Sequence, residues 1–361
     1  MEQKLKVGVV GATGMVGQRF VRLLAGHPWF QVTALAASRR SAGKSYAEAV
    51  SGRWTSSDPV PDDIGQLIVL DASQVATVTA DVDFVFCAVD MDKATTRELE
   101  EKYAKLETPV VSNNSAHRGT EDVPMIIPEV NPEHMDVIPA QRRRLGTKRG
   151  FIAVKPNCSI QSYVPALHPL LQHGPTRVVV CTYQAISGAG RTLETWPEMV
   201  DNVIPLIKGE EEKSEHEPMK IWGQVQSGRV VPAVSPEITA QCIRVPVSDG
   251  HLAAVFVDFE RTPSRQQMID AWNGYQGRPQ QLRLPSAPQQ PIRYFSEPDR
   301  PQTRLDRDLE RGMAITVGRL RPDPVFDYKF VCLSHNTLRG AAGGAVLMAE
   351  LLAAEGYLTA K

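Results

Sequence analysis

The chain has 361 residues, which is too long for one ordinary hydrophobic core and predicts two domains. Its 42% apolar and 22% charged residues are typical of globular proteins, and a net charge of -1 argues against nucleic acid or a membrane surface as partner. Five scattered cysteines, none in a Cys-x-x-Cys pair, argue against a disulfide framework and a metal site, and they indicate the reducing cytoplasm.

The chain begins with a predicted strand, a glycine turn and a helix. Residues 5–10 are apolar, residues 18–24 have helical spacing, and Gly11, Gly14 and Gly17 lie between them. Such a turn lets the backbone approach a pyrophosphate, whose charge a helix N-terminus favours, so we expect a dinucleotide cofactor here. The spacing Gly-x-x-Gly-x-x-Gly differs from the commoner Gly-x-Gly-x-x-Gly, and a purely structural turn is the alternative.

The end of the next predicted strand, residues 31–37, bears on the choice of cofactor. Folds that bind NAD carry an acidic residue about 20 residues after the glycines, where it binds the ribose hydroxyl. This chain has Ser38-Arg39-Arg40-Ser41 instead, and two guanidiniums with two hydroxyls suit a 2′-phosphate. We therefore expect NADP rather than NAD, with an ordinary basic turn as the alternative.

Strands and helices alternate through the following stretch. The predicted strands are residues 66–70, 82–89 and 109–112. Together with an amphipathic helix at residues 92–105 they predict a parallel, doubly wound sheet. Ligands bind such sheets at the carboxyl ends of the strands, where the polar residues 113–118 follow. Arg118 is a candidate phosphate ligand there, and an ordinary surface arginine is the alternative.

Cys158 lies between an apolar strand, residues 151–154, and a segment of helical periodicity, residues 160–171. A thiol at a helix N-terminus is expected to be acidified towards the nucleophilic thiolate. Backbone N–H groups there, together with the Asn157 amide, are suited to hold a developing oxyanion. The alternative is a small buried thiol without chemistry.

The chain after Cys158 is rich in predicted strands. These strands are residues 177–186, 237–247, 252–260, 313–319 and 326–333. Residues 193–207 and 264–275 are predicted helices, and residues 279–311 are predicted to be a long surface excursion. Residues 336–352 are predicted to form an apolar helix of small residues that packs back on the first domain.

These elements predict an α/β protein of two domains. Residues 1–156 form a doubly wound, Rossmann-type NADP-binding domain, which residues 336–361 complete. Residues 157–335 form an α+β domain with a largely antiparallel sheet.

Two further stretches carry candidate chemistry. Arg244 lies inside an apolar strand, where a guanidinium needs an anionic partner, and His251 follows a turn, where it can exchange a proton with a nearby thiol. A surface histidine is the alternative. The run from Glu210 to Lys213 has the composition of a solvated helix start, because acidic residues suit the first turn.

Taken together, the motifs resemble the aspartate-β-semialdehyde dehydrogenase family, in the branch typical of fungi and archaea. They cover essentially the whole chain in the family's order and comprise residues 11–17, 38–41, 112–118, 156–159, 182–188, 209–213, Arg244 with His251, and residues 335–343. The resemblance implies NADPH-dependent conversion of L-aspartyl 4-phosphate to L-aspartate 4-semialdehyde through a cysteine thioester, on the pathway to lysine, threonine, methionine and isoleucine. It also implies that the sheet of the second domain builds a homodimer, which in turn can pair into a tetramer.

The resemblance also implies roles for individual residues. Cys158 matches the nucleophile, His251 the acid–base residue, and Gln184 the residue that orients the acyl group, with Asn157 beside them. The substrate residues are Arg244 for the α-carboxylate, Glu210 for the α-amino group, Lys213 and Arg118 for the phosphate, and Asn114. The cofactor residues are Gly11, Thr13, Gly14, Met15, Val16, Gly17, Ser38, Arg39, Ser41, Ser187, Gly188 and Asn336.

Two other functions remain open at this point. One is a related acyl reductase, such as malonyl-coenzyme A reductase or N-acetylglutamyl-phosphate reductase, which would use the same cysteine and histidine. The other is a non-enzymatic NADP-binding redox sensor that uses Cys158.

Overall fold

Two six-stranded sheets and a short hairpin form the β-structure of the molecule. The computed structural model describes residues 3–56 and 58–361. Within these residues the strands are β1 (Leu5–Val10), β2 (Phe30–Ala37), β3 (Val69–Asp71), β4 (Phe84–Cys87), β5 (Val110–Ser112), β6 (Ile152–Val154), β7 (Pro175–Gln184), β8 (Gln224–Gln226), β9 (Arg229–Val231), β10 (Glu237–Arg244), β11 (His251–Phe259), β12 (Ile292–Phe295), β13 (Ile315–Pro322) and β14 (Tyr328–Ser334).

Helices pack against both sheets. The α-helices of the described part are α1 (Met15–Leu24), α2 (Tyr46–Val50), α3 (Asp62–Gly65), α4 (Val75–Thr79), α5 (Lys93–Lys105), α6 (Ile138–Leu145), α7 (Tyr163–Leu167), α8 (Glu210–Ile221), α9 (Arg265–Asn273), α10 (Arg278–Gln281), α11 (Thr303–Asp306), α12 (Leu309–Gly312) and α13 (Gly343–Ala354). Short 3-10 turns occupy Pro132–Val137, Ser159–Gln161, His168–His173, Ile186–Ala189 and Pro197–Met199, and a π turn occupies Leu338–Ala342.

The first sheet is parallel throughout and has the strand order β3-β2-β1-β4-β5-β6. This is the doubly wound order, in which the chain reverses its direction of travel between β1 and β4 and leaves a crevice at the carboxyl ends of those strands. The strands are buried on both faces, as their continuous apolar sequences require. The predicted Rossmann-type domain is therefore confirmed.

The second sheet is mixed, with the order β10-β7-β11-β14-β13-β12. The three central pairings are antiparallel, and the two outer pairings, β10 with β7 and β12 with β13, are parallel. Alternating burial along β11 places one set of side chains in the core and leaves the other partly exposed. The prediction of a largely antiparallel second sheet is confirmed.

The C-terminal segment completes the core of the first sheet, as predicted. The apolar residues of α13 from Ala345 to Leu352 are buried in one cluster with Leu5 and Val7 of β1 and with Phe20 of α1. The helix is buried on all sides, as its almost wholly apolar sequence requires. It begins at Gly343, after the π turn, and therefore later than predicted.

Two predicted helices are wrong, and prolines account for both. Residues 160–171 are divided into a 3-10 turn, α7 and a second 3-10 turn, because Pro165 and Pro169 interrupt the hydrogen-bond ladder. Residues 193–207 contain only the turn Pro197–Met199, since proline disfavours helical backbone in the residue before it. Residues 279–311 also differ from the prediction, because they supply the edge strand β12.

No helix among the described residues combines the length and apolar character that crossing a bilayer requires.

Candidate active site

Cys158 and His251 meet between the two sheets. Cys158 follows β6 at the start of the turn Ser159–Gln161, and His251 is the first residue of β11. The Sγ atom of Cys158 lies 3.5 Å from Nε2 of His251, which is fully buried. The predicted pair of nucleophile and acid–base residue is thus brought within reach of a proton transfer.

The hydrogen bonds of His251 indicate which ring nitrogen carries the proton. The backbone N–H of Ala185 donates to Nδ1 at 3.1 Å, so the proton of the neutral ring is assigned to Nε2 and points at Cys158. Burial, and then the nearby Arg244 guanidinium, lower the pKa of His251 to about 3. Without ligands the ring is therefore a neutral donor towards the sulfur.

The thiol of Cys158 is not acidified, contrary to the expectation from its position. Burial and then the Glu210 carboxylate raise its pKa, and the cations Lys155, Arg118 and Arg244 oppose this only in part. The helix dipole that the prediction relied on is small, because the segment that follows Cys158 is a three-residue 3-10 turn.

Lys155 is a functional candidate that the sequence analysis missed. Its side chain is buried, and Nζ donates to Pro156 O at 2.8 Å. Burial lowers the pKa of Lys155 to about 7, and the Cys158 thiolate is the first of the charges that raise it. The signal in the sequence was a lysine directly after an apolar strand and three residues before the candidate nucleophile.

Glu210, the first residue of α8, is the centre of a buried polar cluster. Its Oε1 accepts from Asn157 Nδ2 at 3.0 Å and from Lys213 Nζ at 2.7 Å, and its Oε2 accepts from Gln184 Nε2 at 3.4 Å. The Asn157 Oδ1 atom accepts from both N and Oγ of Ser159, each at 2.7 Å. Four of the predicted site residues therefore form one network beside the thiol.

Arg244, the last residue of β10, has no carboxylate partner among the described residues. Its Nη1 donates to Ala185 O at 2.6 Å, and the backbone N–H of Ala185 donates to His251 Nδ1. Ala185 therefore connects the two side chains. A Cβ at Gly188 would lie 2.9 Å from Arg244 Nη1 and 3.2 Å from His251 Nε2. Glycine at position 188 therefore leaves room over both groups.

Arg118 and Asn114 are engaged by the protein. Arg118 donates to Lys155 O, to Asn113 O and to Glu217 Oε1, at 3.0 to 3.1 Å. Glu217 also accepts from the backbone N–H of Asn157 at 2.6 Å, so this unpredicted carboxylate fixes both Arg118 and the loop that carries Cys158. The Nδ2 atom of Asn114 donates to Glu100 at 2.9 Å and to Cys87 at 3.3 Å.

The glycine turn after β1 has the geometry that a pyrophosphate site needs. A Cβ at Gly11, where φ is +88°, would lie 2.2 Å from Ala88 O, and one at Gly17 would lie 2.1 Å from Gly11 O. These two glycines thus allow β1, β4 and α1 to approach closely. Gly14 has no such obstruction, and with Thr13 it lines a cavity of about 540 Å³. Met15 and Val16 begin α1 directly behind it.

This cavity holds a cluster of arginines and is also lined by two carboxylates, Asp71 and Asp90, that the sequence analysis did not anticipate. Ser38, Arg39, Arg40 and Arg53 line the cavity, and Ser41 Oγ accepts from Arg53 Nη2 at 3.1 Å. Asp71, at the end of the adjacent strand β3, accepts from Arg39 Nε at 3.1 Å. Three guanidiniums against two carboxylates leave a net positive lining that fits a phosphate group.

Asn336 forms hydrogen bonds with both the turn before His251 and the loop after β7. Its Oδ1 accepts from Gly250 N and its Nδ2 donates to Ser187 Oγ, both at 2.8 Å. Asn336 and Ser187 were both predicted cofactor residues, and the structure places them in contact. No cluster of histidine, cysteine or acidic residues suited to a metal ion occurs in the described ranges.

Family models match both halves of the chain. The model described as "Semialdehyde dehydrogenase, NAD binding domain" matches residues 6–138. The model described as "Semialdehyde dehydrogenase, dimerisation domain" matches residues 167–339.

Individual relatives match over nearly their whole length. The aspartate-semialdehyde dehydrogenase of Archaeoglobus fulgidus is 46% identical over 355 residues, which cover 98% of this chain and 99% of that protein. The enzyme of Aspergillus fumigatus is 42% identical over 364 residues, with coverages of 98% and 99%.

Solved structures agree with the sequence comparisons. The aspartate semialdehyde dehydrogenase of Candida albicans, determined with NADP, superposes with a TM-score of 0.88 at 38% identity and covers 98% of this chain and 100% of that one. Aspartate semialdehyde dehydrogenase II of Vibrio cholerae, complexed with ASA, gives a TM-score of 0.75 at 26% identity, with coverages of 98% and 99%. The chain therefore belongs to the family of aspartate-semialdehyde dehydrogenases, oxidoreductases of the aspartate amino-acid pathway.

Proposed function

We propose that this chain converts L-aspartyl 4-phosphate to L-aspartate 4-semialdehyde with NADPH, through a thioester on Cys158. The observation that carries the proposal is the 3.5 Å contact between Cys158 Sγ and His251 Nε2, beside an Arg244 guanidinium without a carboxylate partner among the described residues. A nucleophile, a proton donor and an anion receptor within one cleft suit acyl transfer from a charged substrate.

The side chains around Cys158 can recognise a substrate with two anionic ends and one amine. Arg244 is available for the α-carboxylate, and its planar guanidinium favours a bidentate pair. Lys213 Nζ pairs with Glu210 Oε1 at 2.7 Å, so the two side chains lie together. The Glu210 carboxylate can bind the ammonium group of the substrate, and Lys213 can bind its phosphate. Three protein acceptors already bind the Arg118 guanidinium. We therefore propose that its positive charge attracts the phosphate without a direct hydrogen bond.

Acyl transfer proceeds at Cys158. Its sulfur attacks the acyl carbon, the bond from that carbon to the phosphate oxygen breaks, and phosphate leaves with the electron pair. Gln184 and Asn157, both held by Glu210, border the site of attack and orient the acyl group. When bound, NADPH supplies the hydride that reduces the thioester to the aldehyde.

Proton transfer at His251 is coupled to substrate binding. The Arg244 charge is one of the causes that lower the pKa of His251. A substrate carboxylate paired with Arg244 cancels that charge and raises the pKa of His251. Nε2 can accept the thiol proton only in the tautomer with the ring proton on Nδ1, so the hydrogen bond from Ala185 N–H to Nδ1 must open for this step. The proton returns from Nε2 to the sulfur when the sulfur leaves the reduced acyl carbon.

The decisive experiment is Cys158→Ser. A serine hydroxyl is far less ionised than a thiol, so turnover with aspartate semialdehyde, phosphate and NADP⁺ should fall by several orders of magnitude while NADP still binds. Cys181→Ser, on the partly exposed face of β7, is the matched control and should keep normal turnover. Near-normal turnover of Cys158→Ser would refute the proposal. Faster turnover of the wild type with malonyl-coenzyme A or N-acetylglutamyl phosphate would assign it to a related reductase.

NADP preference follows from the cavity beside the glycine turn. Arg39 and its neighbours provide charge-assisted contacts worth roughly 1.5–3 kcal/mol each to a phosphate. Arg39→Gln should therefore raise the KM for NADP by at least about tenfold and leave the KM for NAD nearly unchanged. Equal loss with both cofactors would place Arg39 outside the 2′-phosphate site.

We further propose a homodimer, with pairing into a tetramer as the second state. The match to a dimerisation domain supports this, as does the outer face of the second sheet, where Tyr183 and Phe256 remain partly exposed on the neighbouring strands β7 and β11. The domain boundary is placed between residues 156 and 157, after β6. A thiol nucleophile must stay reduced, so we place the enzyme in the cytoplasm.

A further inference from the structure

Glu217 is a buried carboxylate that contacts the residue before Cys158 and has no role in the reaction proposed above. It lies on α8 and is 9% exposed. Its Oε1 accepts from Arg118 Nη1 at 3.0 Å, and its Oε2 accepts from the backbone N–H of Asn157 at 2.6 Å. Glu217 therefore connects the loop that carries Cys158 to a residue that we assign to the phosphate.

The periodicity of α8 places Glu217 on the same face as two other residues that hold this loop. Glu210, Ser214 and Glu217 stand at positions i, i+4 and i+7, which is the spacing of one helix face. Glu210 binds the side chain of Asn157, and Ser214 Oγ lies 3.2 Å from Ser159 Oγ. Because one helix face supplies these contacts, the Glu217 carboxylate is held at a fixed position beside the loop.

Both cations that we assign to the phosphate are paired with carboxylates of α8. Lys213 Nζ lies 2.7 Å from Glu210 Oε1, and Arg118 Nη1 lies 3.0 Å from Glu217 Oε1. Two cations and two carboxylates carry no net charge together, so they attract a phosphate far less than the cations alone would.

The two carboxylates differ in what the substrate offers them. Glu210 is proposed to bind the ammonium group of the substrate, so its charge is balanced by the substrate itself. Glu217 binds only protein groups, Arg118 and the N–H of Asn157, through its two oxygens. The charge of Glu217 therefore opposes phosphate binding both with and without the rest of the substrate.

We propose that Glu217 is a positioning residue that acts through Arg118 and keeps the affinity of the active site for free phosphate low. This inference rests on the proposed function, because it takes Arg118 as a phosphate residue. Acyl transfer to Cys158 releases phosphate. A phosphate that stays bound can attack the thioester carbon, break its bond to sulfur and form the acyl phosphate again. Weakly bound phosphate leaves before this reversal.

The test is the binding of inorganic phosphate to the full-length protein loaded with NADP, measured by calorimetry. Glu217→Gln removes the charge and keeps an oxygen for the N–H of Asn157. The Kd for phosphate should fall by at least about tenfold, the effect of one charge at roughly 10 Å in a partly buried site. Glu217→Asp keeps the charge and should leave the Kd nearly unchanged.

Glu215→Gln is the matched control. Glu215 lies on the opposite side of α8 from Glu217, where its Oε1 accepts from the backbone N–H of Ala240 at 3.0 Å. This variant should bind phosphate as the wild type does.

Two further measurements separate this role from a purely structural one. In turnover with aspartate semialdehyde, phosphate and NADP⁺, Glu217→Gln should lower the KM for phosphate and leave the KM for aspartate semialdehyde nearly unchanged, whereas a damaged site would raise both. The substitution also leaves Arg118 without its partner, which lowers stability. Phosphate supplies the missing charge, so it should raise the Tm of Glu217→Gln more than that of the wild type.

Three results would overturn the proposal. An unchanged or higher Kd for phosphate in Glu217→Gln would show that this charge does not act on phosphate. An equal fall of the Kd in Glu217→Asp would show that contact geometry, and not charge, limits the affinity. An unchanged Kd in Arg118→Gln would show that phosphate binds elsewhere. None of these results bears on the loss of turnover in Cys158→Ser, which tests the proposed reaction separately.

Discussion

The sulfur of Cys158 lies under two opposing influences. Burial and Glu210 favour the neutral thiol, whereas Lys155, Arg118 and Arg244 favour the thiolate. Lys155 lowers the pKa of Cys158 more than the other two cations do. Its aliphatic chain fills the space beside Gly344, since a Cβ at that position would lie 3.1 Å from Lys155 Cε. A buried ammonium and a buried thiolate stabilise each other because little water screens them.

Lys155→Met should therefore raise the pKa of Cys158. A change of about 1.4 kcal/mol in thiolate stability, typical for one nearby charge, corresponds to one pKa unit and roughly tenfold slower alkylation at neutral pH. The measurement is the rate of iodoacetamide labelling of Cys158 against pH. Lys220→Met is the matched control, because Lys220 is also buried but binds the carbonyls of Arg118, Thr120 and Val123. An unchanged profile in Lys155→Met would show that the lysine is only structural.

Substitutions of Arg244 and of His251 should impair different kinetic parameters. Arg244→Lys keeps the charge but loses the planar fork, so it should mainly raise the substrate KM. His251→Ala removes the proposed proton carrier, so it should lower kcat by roughly 10²–10⁴-fold with a smaller effect on KM. Steady-state kinetics from about pH 6 to about pH 9 separates the two effects. If His251→Ala changes KM alone and keeps the pH dependence of kcat, its role in proton transfer is excluded.

The glycine turn makes a prediction at the scale of one element. Gly17→Ala would place a Cβ 2.1 Å from Gly11 O, so α1 would have to move from β1, and the Tm should fall by several degrees. Gly14→Ala meets nothing closer than 3.5 Å and should keep its Tm while it weakens NADP binding, because its Cβ would face the pyrophosphate. Thermal unfolding with and without NADP checks both variants. A Gly14→Ala variant that binds NADP normally would contradict the placement of the pyrophosphate.

Elements with strong local patterns were predictable, and those controlled by distant contacts were not. The turn with Gly11 and Gly17 and the strand that carries Arg244 follow from local sequence. The two wrong helices contain prolines whose effect outweighs apolar periodicity. Glu217 and Asp71 acquire their significance only from partners far along the chain, Arg118 for Glu217 and Arg39 for Asp71, and no local pattern encodes such pairs.

Acid stability is a property of the whole molecule to which His251 contributes. The ordinary pKa of a histidine, 6.5, applies to the unfolded chain, whereas the pKa of His251 in the fold is about 3, so the unfolded chain binds a proton that the folded chain refuses. The unfolding free energy is therefore unaffected by this residue above about pH 6.5, and it falls by roughly 3–5 kcal/mol as the pH drops from there towards 3.

His251→Gln should therefore flatten the dependence of the unfolding free energy on pH between about 6.5 and 4. Urea unfolding at several pH values measures that slope, which is independent of any constant loss of stability caused by the substitution. His216→Gln, an exposed histidine of α8, is the control and should leave the slope unchanged. An identical slope in His251→Gln and the wild type would mean that His251 is not held neutral.

The position of α13 has a consequence for how the protein is made. Leu5 and Val7 pack in one cluster with Leu347 and Leu351, which the ribosome adds long after them. Until the segment of α13 emerges, the sheet that contains β1 keeps an apolar face uncovered. A nascent chain therefore completes its cofactor-binding half after its catalytic half, and a stalled or truncated product would expose that face to chaperones and proteases.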